Sequence, residues 1–199
     1  MHKAALEIRK RLSSANPQAY EHELAMSYNN LANLYTDTQR FNEAERMHKA
    51  ALEIRKRLSS ANPQEYEHEL AMSYNNLANL YTDTHRFKES EQMYKMALEI
   101  RKRLAEDNPQ AYEPALAASY YNLANLYIAT QHFNESEQMH VMALEIRKRL
   151  AESDSQTYEP NLADSYYNLA ALYSYTQRFN ESEQMCKMAL DIYKRCLLY

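Results

Sequence analysis

The sequence predicts an all-α solenoid, a stack built from one repeating pair of antiparallel helices. Three observations predict it: the chain of 199 residues contains no glycine, one segment recurs at a fixed period, and apolar residues lie three and four positions apart. Tight β-hairpin turns and phosphate-binding loops both depend on glycine for their backbone geometry. This composition therefore favours helices.

The repeat has a period of 46 residues. The segment MHKAALEI begins at Met1 and again at Met47, and 47 − 1 = 46. The first two copies are nearly identical over residues 1–41 and 47–87, which indicates recent duplication or deliberate design. We expect one repeat domain with these boundaries: a half repeat with the second helix only (1–18), three full repeats (19–64, 65–110, 111–156) and a last repeat (157–199).

The first helix of each repeat, here called helix A, is predicted from about Glu21 to Thr38 in the first full repeat. Its large apolar residues step by four, three and four positions, which places them on one side of a helix. We expect this stripe to face the core: Leu24, Tyr28, Leu31 and Tyr35.

The second helix, helix B, follows a turn at residues 39–41. Asn42 is predicted to cap it, because Glu45 three positions later completes a capping-box pattern. The basic run 55–57 is predicted to lie at the solvated end, where it complements the helix dipole. The residues of helix B that are predicted to face inward are Ala44, Met47, Ala51, Ile54 and Leu58. The ion pairs expected on its outer surface are Glu45 with Lys49 and Glu53 with Arg57.

Prolines are predicted to mark where helices meet. Pro63 cannot continue helix B, so it indicates the boundary between two repeats. Pro114 and Pro160 lie later in their own repeats. We expect helix A to begin near them, because proline is tolerated in a first helical turn.

The pattern YxNLANLY from Tyr28, followed by FxEA from Phe41 and ALEI from Ala51, resembles the tetratricopeptide repeat, in the long form of kinesin light chains and bacterial scaffold proteins. It recurs through nearly the whole chain. The period exceeds the roughly 34 residues usual for the family, which predicts longer helices. The resemblance implies a right-handed superhelical solenoid of antiparallel helix pairs, whose helices A line a concave groove. The family's turn glycine is replaced by Gln39, His85, Gln131 and Gln177.

Asparagines on helix A predict a peptide-binding surface. Asparagine costs about half a kcal/mol more in a helix than the Lys and Glu of a merely solvated face. Its amide offers a donor and an acceptor together, which suits peptide main chain. The resemblance implies the same, since some family members hold peptides with an asparagine ladder. Alternatively, the amides bind the neighbouring repeat and only hold the stack. The predicted binding residues here are Asn29, Asn30, Asn33, Asp37, Asn75, Asn76, Asn79 and Asp83.

The helix A face becomes more aromatic later in the chain, where we predict that it takes an apolar or aromatic side chain. The alternative is that Tyr167 and Tyr175 pack beneath a neighbouring element. This face carries no Lys or Arg, which argues against the carboxylate-binding mode of some tetratricopeptide repeats. The predicted binding residues in this half are Tyr121, Asn122, Asn125, Tyr167, Asn168 and Tyr175.

Charge and hydropathy argue against two classes of partner. The net charge of −4 provides no basic surface for nucleic acid, and no apolar run approaches the ~20 residues of a membrane span. Cys186 and Cys196 are ten residues apart on one predicted helix, about 15 Å, which is too far for a disulfide. Free thiols and the lack of a secretory signal favour a cytoplasmic location.

No pattern predicts catalysis. His48 and His140 occupy equivalent helix B positions but are separated by whole repeats, so they are not expected to share one metal ion. We expect no catalytic residues, no metal site and no cofactor.

The sequence thus predicts a protein-interaction scaffold rather than an enzyme, with a protein or peptide of unknown identity as its partner. Two alternatives remain open. One is a self-assembling structural protein whose uncapped terminal repeats stack end to end as a homo-oligomer, since Ile8 and Leu12 lack the cover of a preceding helix A. The other is a sensor or regulatory segment of a larger signalling protein.

Overall fold

A computed structural model describes residues 2–197, with side chains from residue 6 onward; Met1, Leu198 and Tyr199 lie outside the described residues. The described residues form nine α-helices and no strand, which confirms the predicted all-α fold of helix pairs. The helices are α1 (His2–Ala15), α2 (Pro17–Asp37), α3 (Phe41–Ala61), α4 (Pro63–Asp83), α5 (Phe87–Asp107), α6 (Pro109–Ala129), α7 (Phe133–Ser153), α8 (Ser155–Tyr175) and α9 (Phe179–Cys196). Even-numbered helices are helices A, and odd-numbered ones are helices B.

The chain divides into two compact units, residues 1–100 (the N-terminal unit) and residues 101–199 (the C-terminal unit). The neighbouring helices that pack together include α1 with α2, α2 with α3 and α3 with α4 in the N-terminal unit, and α6 with α7, α7 with α8 and α8 with α9 in the C-terminal unit. Helices A and B of one repeat are joined by three residues, and successive repeats by a single residue. Such short connections make consecutive helices antiparallel.

The core of the N-terminal unit contains the predicted apolar stripe. Leu24, Leu31 and Tyr35 are buried, and Tyr28 packs against them. Leu77 of the next helix A is among the most deeply buried side chains described. In the C-terminal unit, the corresponding core is formed around Leu169 and its neighbours.

The helices begin earlier than the sequence predicted. Helix α2 starts at Pro17 rather than near Glu21, because proline fits the first helical position and the Asn16 side chain accepts a hydrogen bond from the Ala19 amide at 3.3 Å. Helix α3 starts at Phe41, so the prediction that Asn42 caps it was wrong.

The basic run of helix B also lies elsewhere than expected. Helix α3 continues to Ala61, so residues 55–57 lie inside the helix and Arg55 is only 4% exposed. Glu45 pairs with Lys49 at 2.7 Å as predicted. The predicted pair of Glu53 with Arg57 was wrong, because other partners are nearer. The observed pairs are Glu53 with Lys56 at 2.9 Å and Arg57 with Glu21 at 2.7 Å.

Two prolines that were predicted to lie near helix starts are internal. Pro114 is the sixth residue of α6, and Pro160 the sixth residue of α8. Since proline has no amide hydrogen, each helix loses one backbone hydrogen bond at this point.

The turn between helices A and B is tight although it lacks glycine. Gln39 has φ of 57°, and its three counterparts are similar at 58° to 62°. The Arg40 amide donates to the Tyr35 carbonyl at 2.7 Å, and the Gln39 amide donates to Thr36 at 2.9 Å. These two bonds form a Schellman motif, which closes the end of helix A.

Candidate functional site

The predicted asparagines differ in what they bind. Asn29 is half-buried, and its side-chain oxygen accepts a hydrogen bond from Asn76 of the next repeat at 2.9 Å. The same oxygen lies 3.1 Å from Nδ1 of His48. Because an amide oxygen can only accept, Nδ1 of His48 carries the proton. Asn29 therefore holds two repeats together.

Asn79 forms a hydrogen bond within the fold and is also exposed on the surface. Its oxygen accepts a hydrogen bond of 2.5 Å from the hydroxyl of Tyr94, which is buried. Burial raises the pKa of Tyr94, so its hydroxyl remains a donor at neutral pH. The side chain of Asn79 is nevertheless exposed, and its amide nitrogen keeps both protons for another acceptor.

Helices α2 and α4 form a cavity of about 200 Å³ in the N-terminal unit, which we call the N-terminal cavity. Five predicted binding residues line it: Asn33, Asp37, Asn76, Asn79 and Asp83. The other lining residues are Thr36, Leu80 and His48. Asn29, Asn30 and Asn75, which were also predicted to bind a ligand, are not among its lining residues.

His48 enters this cavity from helix B. Its side chain is 3% exposed, and burial, aided by the positive charge of Arg55, lowers its pKa to about 4. The ring is therefore neutral at pH 7. Since Nδ1 is protonated and bound to Asn29, Nε2 is an acceptor.

A second cavity, of about 330 Å³, lies in the C-terminal unit and is called the C-terminal cavity. Its predicted lining residues are Tyr121, Tyr167 and Asn168. Tyr167 is 60% exposed, so it is available to a ligand. Tyr175 is exposed and packs on Phe133 with ring centroids 5.1 Å apart, outside this cavity. Neither Asn122 nor Asn125 lines it; Asn122 is half-buried and Asn125 is exposed.

The sequence analysis missed Arg147, Asn161 and Asp164, which also line the C-terminal cavity. Arg147 reaches it from helix B and donates to the Asn161 carbonyl at 3.1 Å and to Ser165 at 2.7 Å. Its guanidinium lies 5.5 Å from the Tyr121 ring centroid. Arg147 lies on helix B, so the absence of Lys and Arg from the helix A face did not reveal it.

Two side chains donate hydrogen bonds to Asp164. The hydroxyl of Tyr193 donates to its carboxylate at 2.6 Å, which together with burial raises the pKa of Tyr193 to about 12. Asn168 donates to the Asp164 carbonyl at 2.6 Å. The C-terminal cavity therefore contains one cation, one anion and two tyrosine rings.

The arginine of this cavity belongs to a repeated contact. Arg55 donates to Ser73 at 2.8 Å and Arg101 to Ser119 at 2.6 Å, each from helix B to a serine on the next helix A. Arg9 makes the same contact with Ser27. The constant separation of 18 residues between Arg and Ser was visible in the sequence and could have revealed the contact.

Among the side chains described, residues 6–197, no group of three or more His, Cys, Asp or Glu could hold a metal ion. Within the same range, no helix is both long enough and apolar enough to cross a membrane. Cys186 and Cys196 are free thiols, as expected. His140, the counterpart of His48, is 1% exposed and packs edge-on against Tyr121.

Comparison with protein families identifies the chain. The tetratricopeptide repeat model matches residues 23–103, 69–149 and 116–195 in overlapping segments. The chain belongs to the tetratricopeptide repeat family, as the sequence pattern predicted. No curated protein sequence matches it.

Solved structures share the fold. BtubC (BKLC) from P. vanneervenii is 23% identical with a TM-score of 0.73, over 100% of this chain and 90% of that one. A putative kinesin light chain from Podosopora anserina, with nearly identical TPR-like repeats, is 18% identical with a TM-score of 0.71, over 100% and 89%. The apo form of RapI is 17% identical with a TM-score of 0.73, over 96% and 63%. At these identities, the likeness shows the fold alone.

Proposed function

We propose that this chain is a protein-interaction scaffold that binds a peptide segment of another protein on its helices A. The observation that carries the proposal is the position of the two cavities. Each unit has a cavity on helix A, lined by residues that the sequence selected as binding residues, with Asn33 and Asn79 in one and Tyr121 and Tyr167 in the other. The tetratricopeptide repeat is typically a non-catalytic scaffold, which supports the same function.

The chemistry of the N-terminal cavity suits peptide main chain. Asn33 is exposed, so its amide can donate to a peptide carbonyl and accept from a peptide amide. Asn79 keeps free donor protons, because only its oxygen is bound by Tyr94. A donor and an acceptor side by side on successive repeats match the alternating groups of an extended peptide.

The C-terminal cavity suits a side chain instead. Two tyrosine rings offer flat apolar surface with little conformational entropy to lose on binding. Arg147 and Asp164 add one charge of each sign. We propose that an aromatic or apolar side chain of the same partner, with polar groups beside it, occupies this cavity.

The experiment selects peptides of about 12 random residues on the full chain and measures the affinity of the enriched peptides by fluorescence anisotropy. We expect Asn33→Ala/Asn79→Ala or Tyr167→Ala to weaken binding roughly tenfold or more, which is the loss of about 1.4 kcal/mol. The matched control is Lys49→Ala/Lys187→Ala, which removes two exposed helix B side chains and should leave affinity within about twofold.

Two results would contradict the proposal. If no peptide is enriched above background, the helix A surface does not bind extended peptides. If enriched peptides bind all variants equally while circular dichroism shows that each variant is folded, the binding site lies elsewhere on the chain.

A further inference from the structure

The N-terminal cavity has two carboxylates without a cation. Asp37 and Asp83 both line it, both are exposed, and neither forms an ion pair with a described residue. They are equivalent residues of consecutive repeats, at the last positions of α2 and α4. Two like charges that face one space favour the entry of a positive group.

A histidine acceptor faces the same space. His48 lines the cavity, is 3% exposed, and has only Nδ1 occupied, by Asn29. Its Nε2 has no hydrogen-bond partner among the side chains described, and it presents a lone pair because Nδ1 carries the proton. This nitrogen is not fully enclosed by protein, so a donor from a ligand in the cavity can reach its lone pair.

An organic cation suits this cavity better than a metal ion does. Across residues 6–197, no three acidic, His or Cys side chains converge as metal ligands, and this includes Asp37, Asp83 and His48. An ammonium or guanidinium carries several donors and can satisfy separated acceptors. The volume of about 200 Å³ is sufficient for such a group, since a cavity of about 150 Å³ holds benzene.

The C-terminal cavity provides the internal contrast. There, Arg147 already supplies a guanidinium, and Asp164 is bound by Tyr193. At the positions equivalent to Asp37 and Asp83, the later repeats have Ala129 and Tyr175. The acceptor-rich chemistry is therefore a property of the first two full repeats and not of every helix A.

We propose that the N-terminal cavity is a specificity site for a lysine or arginine side chain of the bound peptide, with Asp37 and Asp83 contacting the cation and Nε2 of His48 accepting a hydrogen bond from it. This inference rests on the proposed function, because it names the side chain that a peptide on helix A inserts here. It predicts that basic peptides bind in preference to neutral peptides of the same shape.

The test uses five synthetic peptide libraries that share random flanking residues and differ at one fixed central position: arginine, lysine, citrulline, glutamine or glutamate. Citrulline has nearly the shape of arginine without its charge. For the full chain, we expect the arginine and lysine libraries to bind about tenfold more tightly than the citrulline and glutamine libraries, and the glutamate library to bind most weakly.

The decisive variant is Asp37→Asn/Asp83→Asn, which keeps the shape and removes both charges. We expect it to bind all five libraries with similar affinity, at the level of citrulline on the native chain. The control variant Glu7→Gln/Glu53→Gln removes the same charge from residues outside the cavity, where each side chain is more than half exposed. It should keep the preference for arginine and lysine, because neither residue lines the cavity and salt screens charges at a distance.

The outcomes separate this inference from the proposed function. Binding of all libraries without a preference for arginine or lysine would overturn the inference and leave the peptide-binding function standing. A preference that survives in Asp37→Asn/Asp83→Asn, or that is lost equally in the control variant, would also overturn it. Absence of binding to any library would overturn both.

Discussion

At the scale of single residues, the turn between helices A and B has a conformation that most residues avoid. Gln39, His85, Gln131 and Gln177 all have φ near +60°. This left-handed conformation costs a residue with a Cβ about 1–2 kcal/mol, and glycine almost nothing. The two Schellman hydrogen bonds offset this cost in each repeat.

We therefore predict that Gln39→Gly stabilises the chain. The gain is the relief of backbone strain less the entropy that glycine adds to the unfolded chain, so about 0.5–1 kcal/mol remains. The measurement is the urea midpoint followed by circular dichroism. As a control, Thr38→Gly one residue earlier, where φ is −97° and the Thr38 hydroxyl donates to Leu34, should destabilise the chain. A midpoint for Gln39→Gly at or below that of the native chain would refute the strain argument.

The sequence revealed the missing glycine but not the shape of the turn. A repeat whose glycine is replaced by Gln39 could have lengthened its turn or kept it under strain. Packing of Tyr35 and Ala44, which lie on either side of the turn and are both buried, favours the tight form. Such a balance between strain and burial cannot be obtained from the sequence alone.

At the scale of helices, the contact from helix B to the next helix A depends on a buried arginine. Arg55 is 4% exposed, and it donates to Ser73 and to the Glu69 carbonyl. Burial lowers the pKa of Arg55, with Glu69 opposing the effect. A buried cation stabilises a fold only when its donors are satisfied. The serine therefore supplies one of the two acceptors that bind this guanidinium between two repeats.

The sequence analysis placed Arg55 at a solvated helix end because it lies in a basic run. Helical spacing would have located it correctly. His48, Leu52, Arg55 and Ser59 step by four, three and four positions, and all four are buried. They form a second stripe on helix B, beside the apolar one, from which Arg55 binds Ser73 of the next repeat and His48 binds Asn29 of its own repeat. The positive charge of residues 55–57 suggested that Arg55 is exposed, whereas the spacing of residues along helix B indicates that it is buried.

We predict that Ser73→Ala destabilises the chain by about 1–2 kcal/mol, because a donor of a buried guanidinium loses its partner. The control is Ser60→Ala, an exposed serine on helix α3 whose hydroxyl donates only to the Lys56 carbonyl of its own helix. Both substitutions gain the same helix propensity, so the difference between them measures the contact. Equal urea midpoints for the two variants would show that Ser73 contributes nothing to the contact.

At the scale of the whole molecule, the repeat explains why the fold was easier to predict than the site. Each copy of the pattern repeats the same evidence for two helices, so local ambiguities average out. The site depends on differences between equivalent residues. Asn29 binds the next repeat, whereas Asn33 remains exposed, and the sequence presents both as asparagines on one helix. Some partners lie on helix B, such as His48 for Asn29 and Tyr94 for Asn79, and the helix A face alone does not reveal them.

Stability of the whole chain should depend on pH through two buried histidines, one in each unit. Burial first, and then Arg55 near His48 and Arg147 near His140, lower the pKa of each to about 4 from an ordinary value of 6.5. Between these values, the unfolded state binds a proton that the folded state does not. The contribution to stability is therefore complete above pH 6.5 and is lost as the pH falls toward 4. From about pH 7.5 to about pH 5, the loss should be roughly 2 kcal/mol for each histidine.

The chain supplies its own control for this prediction. The position of His48 in the next repeat is occupied by Tyr94, whose hydroxyl binds Asn79. Asn33 and Asn125 lie 15 residues before His48 and His140, as Asn79 lies before Tyr94. The double variant His48→Tyr/His140→Tyr therefore keeps a partner for each new hydroxyl.

Carboxylates do not explain a fall in stability between these two pH values. The pKa of Glu45, for example, is lowered, because the effect of burial is outweighed by hydrogen bonds from Lys49, Arg86 and Tyr81. Such a group changes the stability only below its ordinary pKa of 4.5. We expect urea midpoints of the native chain to fall between the two pH values and those of the double variant to change little. A parallel fall in both would assign the pH dependence to other groups.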